Sequence, residues 1–160
     1  MSKKELKTNA MRILDRQKIK YEVLQYECDE FIDGLHTAEK TGAPVEQSFK
    51  TLVAQGKSKQ YYVLVLPIAE EVDLKKAAKA VGEKSIEMIH VKDITAVSGY
   101  VRGGCSPIGM KKFFTTTIHE TAPLYDTIFF SGGRIGFQIE LPFADLEKVI
   151  RVQHADIIKD

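Results

Sequence analysis

The sequence predicts an α+β fold in one domain. Apolar, β-branched segments come in runs, and the helical patterns between them are unevenly spaced, unlike a regular βαβ series. The 160 residues hold no internal repeat, low-complexity tract or linker, so one sizeable core is expected. At 44% hydrophobic and 28% charged residues, the composition is that of an ordinary globule with a water-facing surface.

Leu6, Ala10, Ile13 and Leu14 recur at helical spacing with lysine and arginine between them, predicting an amphipathic helix over 3–18. Tyr21–Tyr26 alternates as a first strand. Cys28–Gly34 is acidic and irregular, and Thr37–Thr41 reads as a short helix stopped by Gly42 and Pro44. Phe49–Ala54 and Gln60–Leu66 are β-branched runs separated by Gln-Gly-Lys-Ser-Lys, a hairpin pattern. Asp73 is placed to cap a helix through Ala80 that ends at Gly82. A strand over 85–90 and a short helix over Lys92–Val97 lead into a glycine-rich loop. Phe113–Ile118, Tyr125–Phe130 and Ile135–Leu141 read as strands, with a turn at Gly132-Gly133. Pro142 suits the first turn of a helix over 143–149, and His154–Ile158 is expected to return to the sheet.

Several classes are excluded or disfavoured. The formal net charge of +1 rules out a polybasic nucleic-acid tail, though it leaves room for a local basic face. No segment reaches the roughly 20 apolar residues of a membrane span. The start lacks the apolar stretch of a signal peptide, so the cytoplasm is the expected location. Cys28 and Cys105 form no CxxC pair, and a disulfide framework is not expected. His36, His90, His119 and His154 lack metal-ligand spacing in sequence, which argues against a zinc site without excluding one assembled in space; no metal or other cofactor is expected.

Gly99-Tyr-Val-Arg-Gly-Gly-Cys-Ser-Pro-Ile-Gly109 is the segment richest in chemical possibility. Such a loop can offer main-chain N–H groups to an oxyanion or phosphate, or it can be a plain turn. Lys50 lies inside a predicted strand, where its ammonium either meets an anionic or carbonyl partner or faces water from an edge. Cys105 is either a nucleophile activated by nearby N–H groups and Arg102 or a small buried hydrophobe. Ser131, at a strand end before two glycines, either faces a cleft or bonds its own turn. Tyr26 and Asp29–Asp33 could line the same cleft. Lys111-Lys112, Arg102 and Lys57-Ser-Lys59 could meet phosphates or simply be solvated.

Taken as a set, Ser48-Phe-Lys-Thr-Leu-Val53, Leu74-Lys-Lys-Ala-Ala-Lys79, the Gly99–Gly109 loop and Ser131-Gly-Gly-Arg-Ile-Gly136 stand in the order seen in the YbaK family. The chain closely resembles these bacterial Cys-tRNA(Pro) deacylases over nearly its whole length. The resemblance implies the fold of the prolyl-tRNA synthetase editing (insertion) domain, a mixed sheet curled into a barrel with helices outside. It implies trans-editing of mischarged tRNA, with prolyl-tRNA synthetase as the expected partner. The family's essential lysine maps to Lys50, its Gly-x-x-x-Pro loop to Gly103 and Pro107, its strand-end serine to Ser131 and a first-strand tyrosine to Tyr26.

Lys50, Gly103 and Gly104 are thus the expected catalytic residues, the two glycines through backbone N–H groups. Tyr26, Thr51, Ser106, Pro107, Ser131 and Gly132 are the expected substrate contacts. Cys105 stands where relatives carry an aliphatic residue, which argues against a role for its thiol. The implied mechanism uses no enzyme nucleophile: the thiol of the esterified cysteine attacks its own carbonyl. The alternatives are an editor of another charged tRNA such as Ala-tRNA(Pro), a non-catalytic module binding tRNA or the synthetase, and a cysteine-dependent hydrolase.

Overall fold

The computed structural model describes residues 7–26, 38, 39 and 41–160. Among the elements lying wholly within the described residues are helices α1 (Asn9–Arg16), α2 (Leu74–Val81), α3 (Ile94–Ser98) and α4 (Phe143–Val149) and eight strands. The strands are β1 (Glu22–Gln25), β2 (Phe49–Gly56), β3 (Tyr61–Pro67), β4 (Ile86–Met88), β5 (Thr115–His119), β6 (Ile128–Ser131), β7 (Phe137–Leu141) and β8 (Val152–Ala155). The α+β class is as the sequence predicts.

The strands form a three-stranded antiparallel sheet, β1-β7-β6, and a five-stranded mixed sheet, β4-β2-β3-β5-β8. In the second sheet β5 runs parallel to both β3 and β8. A parallel bridge between Ser48 and Phe129 joins the two sheets. The mixed pairing is therefore present as two sheets stitched at one point.

α1 begins at Thr8, whose side chain accepts the Met11 N–H, and buries Ala10, Met11 and Leu14. Eight residues are too few for an isolated helix, so this packing holds it in place. These side chains join Phe49, Val63, Val65, Ile118, Ile128, Phe130, Ile139, Leu141 and Leu146 in the larger core. A smaller core on the other face of the mixed sheet packs Ala54, Leu64, Leu66 and Ile157 against Ala77 and Ala78 of α2. Asp73 caps α2 by accepting the N–H groups of Lys75 and Lys76.

Differences from expectation fall at element ends. β5 starts two residues later than the aromatic run suggested. Val152, not His154, opens β8; the chain beyond it still rejoins the sheet region through a bridge between Val72 and Ile158. Tyr125 lies outside β6 because a 3₁₀ turn at Ala122–Leu124 precedes that strand. α4 has the expected bounds, with Pro142 standing just before it as its cap. Ala38, Glu39 and Thr41 are helical. The start of the first predicted helix, the Cys28–Gly34 segment with Asp29–Asp33, and the residues of the second helix at 37 and 40 lie outside the described residues.

Candidate active site

Side chains alternate across a strand, so register decides which residues share a face. Ser131 pairs with Gln138, and Gln138 pairs with Leu24. Two residues beyond Leu24, Tyr26 keeps the same parity, and its N–H donates to the Gly136 carbonyl at 2.9 Å. The parallel Ser48–Phe129 bridge brings the start of β2, which carries Lys50, to β6, which ends at Ser131. Lys50 in turn pairs with Leu66. Leu24, Gln138 and Ser131 therefore form one row across strands β1, β7 and β6, with Tyr26 at its corner, and the bridge between β6 and β2 brings it toward the Lys50–Leu66 pair. The polar members of this row are all partly exposed.

Lys50 is the electrostatic centre of the candidate site. Its ammonium makes no hydrogen bond or ion pair with a described residue. Burial pushes its pKa below the usual lysine value, and the charges of Glu71 and then Glu70 pull it partly back. A half-buried cation with no hydrogen bond or ion pair to a described residue is a candidate group for binding an anion.

The glycine loop reaches the site from the side. A Cβ on Gly104 would lie 3.2 Å from the Arg134 Cα and 3.2 Å from the Ile135 nitrogen, so only glycine lets the loop press against the turn after Ser131. The Gly104 N–H donates to the Val101 carbonyl at 2.9 Å, closing a turn whose third residue, Gly103, has φ of 84°. This corrects the expectation that Gly104 supplies a donor: its N–H is already used. The N–H groups of Gly103, Cys105 and Ser106 make no hydrogen bond to a described residue. Cys105 is 8% exposed and Ser106 0% exposed. Gly103 is exposed, so of the three its N–H is the one open to a ligand oxygen or to water.

Other expected contacts are corrected in part. Thr51 has the opposite parity to Lys50 and pairs with Val65 of the large core. Its hydroxyl is buried without a partner, on the side of the sheet away from Lys50. Ser106 turns inward, its Oγ accepting the Ile108 N–H at 3.3 Å. Pro107 backs onto a pocket of about 180 Å³ with Val63, Met110, Phe114 and Thr116, also on the side opposite Lys50. Gly132 donates to the Phe137 carbonyl at 2.9 Å and accepts from Thr8 Oγ1 at 2.5 Å, which leaves no free donor. Ser131 Oγ accepts the Gly133 N–H at 3.1 Å, the turn bond weighed from sequence, while the residue remains on the exposed row.

Cys105 is a poor nucleophile here. Burial raises its thiol pKa, with only a weak contact to Ser98 Oγ at 3.7 Å opposing the shift. Among the described residues no histidine is hydrogen-bonded to Cys105 or Ser131. His119 is buried elsewhere and accepts the Ile157 N–H at 3.3 Å. Gln138 and Leu24 were missed from sequence. Alternation placed them on one face of their strands, but only the pairing of β7 with both β1 and β6 carries them to the row.

The chain belongs to the aminoacyl-tRNA editing domain family, whose model matches residues 35–149. It is 43% identical over 156 residues to EbsC of Enterococcus faecalis, provisionally named a Cys-tRNA(Pro)/Cys-tRNA(Cys) deacylase; the match covers 97% of this chain and 95% of that one. The fold is shared with a solved protein described provisionally as a trans-editing enzyme for prolyl-tRNA synthetase, with a TM-score of 0.83 at 21% identity over 98% of this chain and all of the other. It is shared too with the hypothetical protein APE2540, with a TM-score of 0.84 at 14% identity over 94% of this chain and 99% of the other.

Proposed function

We propose that this chain deacylates mischarged tRNA, removing cysteine from Cys-tRNA(Pro) and also from Cys-tRNA(Cys). The observation that carries the reading is the meeting of two features. A lysine with no hydrogen bond or ion pair to a described residue is brought toward an open row, and a glycine loop packed against the end of that row offers an open N–H group at Gly103. That arrangement suits a carbonyl gaining negative charge beside a phosphate-bearing ribose.

The reaction needs no protein nucleophile. The substrate's cysteine sulfur attacks the ester carbonyl carbon, a C–S bond forms, and the carbonyl oxygen becomes an oxyanion. Collapse of that intermediate breaks the C–O bond to the terminal ribose. The proton that the thiol gives up on attack is the one the ribose oxygen takes, and a cyclic thiolactone leaves for hydrolysis by water. The Gly103 N–H holds the oxyanion, Lys50 holds the ribose-phosphate or carbonyl, and Tyr26, Ser131 and Gln138 wall the small pocket. Folding the cargo into an attacking geometry supplies much of the acceleration.

A proline pocket rejects the similarly sized cysteine poorly, and a second sieve that tests for a thiol repairs the error. The net charge of +1 favours weak intrinsic tRNA affinity, so prolyl-tRNA synthetase supplies the choice of tRNA. No helix among the described residues is long and apolar enough to cross a membrane, and we place the reaction in the cytoplasm. The deciding experiment is a panel of mischarged tRNAs assayed with wild type and Lys50→Ala. Rapid release of cysteine alone, lost in the variant, supports the reading; rapid release of alanine would move it to an alanine editor.

A further inference from the structure

The start of α1 fastens two separate pieces of the candidate site, a role that nothing in the sequence motifs assigns to it. Thr8 Oγ1 accepts the Met11 N–H at 3.2 Å and donates to the Gly132 carbonyl at 2.5 Å. The next residue, Asn9, donates from Nδ2 to the Gly109 carbonyl at 3.0 Å. Tyr100 completes the cluster. Its hydroxyl donates to the Ile108 carbonyl at 2.5 Å, and a Cβ on Gly133 would lie 3.1 Å from its ring and 3.2 Å from Thr8 Cβ. Burial lifts the Tyr100 pKa to about 12, so the hydroxyl stays a donor at every working pH.

Three side chains thus bind three carbonyls: Gly132 in the turn after Ser131, and Ile108 and Gly109 at the far end of the glycine loop. Hydrogen bonds of this kind are each modest in stability, but together they fix loop geometry that glycine-rich backbone would not hold by itself. We propose that Thr8, Asn9 and Tyr100 are positioning residues that set the spacing between the loop's N–H donor and Ser131 in the deacylation reaction. The proposal rests on the function proposed above for its kinetic reading, though not for its structural one.

The test compares Thr8→Val, Asn9→Ala and Tyr100→Phe with the conservative Thr8→Ser. Alanine is a better helix former than asparagine, so Asn9→Ala does not weaken α1 by propensity. We expect kcat on Cys-tRNA(Pro) to fall about tenfold in each of the three, by loss of transition-state geometry, with KM changing less than about twofold. Thr8→Ser should restore kcat. Hydrogen exchange supplies a readout independent of substrate. The Gly104 and Gly133 amides, bonded to Val101 and to Ser131, should exchange about tenfold faster in the three variants while those of Ala77 and Ala78 in α2 stay unchanged. Unchanged exchange at Gly104 and Gly133, or equal acceleration in α2, overturns the proposal. A wild type that releases no cysteine would sink the proposed function, while the exchange data would still decide the positioning role.

Discussion

Ser48 pairs in parallel with Phe129, and this bridge brings β2, which carries Lys50, to β6, which ends at Ser131. The junction between the two sheets thus also brings the two parts of the candidate site together. Replacing Lys50 with alanine removes the cation from the site without opening a core, since the side chain is only half-buried. Deacylation of Cys-tRNA(Pro) should fall at least about 100-fold, the scale of losing one electrostatic stabiliser. Thermal melting should move by no more than a few degrees. A variant as active as wild type would remove Lys50 from the mechanism.

Thr51 points the other way, and its buried hydroxyl lacks a partner. An unpaired buried hydroxyl costs on the order of 1 kcal/mol or more, and valine has the same shape without it. Thr51→Val should therefore be more stable by about 1 kcal/mol in denaturant titration and keep full activity. A loss of activity with intact stability would show that the hydroxyl meets the substrate after all.

Cys105 is buried, with its thiol pKa pushed up, which makes it a poor candidate for the attacking sulfur. Cys105→Ala should keep most of the activity, and a thiol-blocking reagent should inhibit slowly at most. The same substitution should cost about 1 kcal/mol of stability by removing a small packed group. Abolished activity in both Cys105→Ala and Cys105→Val would place the nucleophile on the protein.

The lowered pKa of Lys50 has a sign that kinetics can read. Burial disfavours the charged ammonium, so the proton leaves below pH 10.5. If the cation holds substrate, kcat/KM corrected for spontaneous ester hydrolysis should decline on the alkaline side at a pH below that ordinary lysine value. Lys50→Met should show no such decline. The same alkaline limb persisting in Lys50→Met would assign it to another group.

Much of the fold was legible because local chemistry announced it. Asp73 before Leu74–Val81 predicts a capped helix, and the β-branched runs around Gln-Gly-Lys-Ser-Lys predict the hairpin; both are present. Period-two alternation already separates Lys50 from Thr51, yet motif adjacency made both look like substrate contacts. What the sequence could not carry was pairing between distant strands. Gln138 reaches the row through the order β1-β7-β6, and β6 meets β2 at the Ser48–Phe129 bridge. The fate of the Gly104 N–H was hidden for a similar reason, since it depends on the turn that Gly103 closes back to Val101.

The central claim is that the thiol of the cargo, held in place by the loop and Lys50, severs its own ester. The most direct measurement compares single-turnover cleavage of Cys-tRNA(Pro) with that of Ser-tRNA(Pro), whose side chain differs in the one attacking atom. The account predicts rapid release of cysteine and release of serine near the spontaneous rate. Equal rates on the two substrates would contradict it.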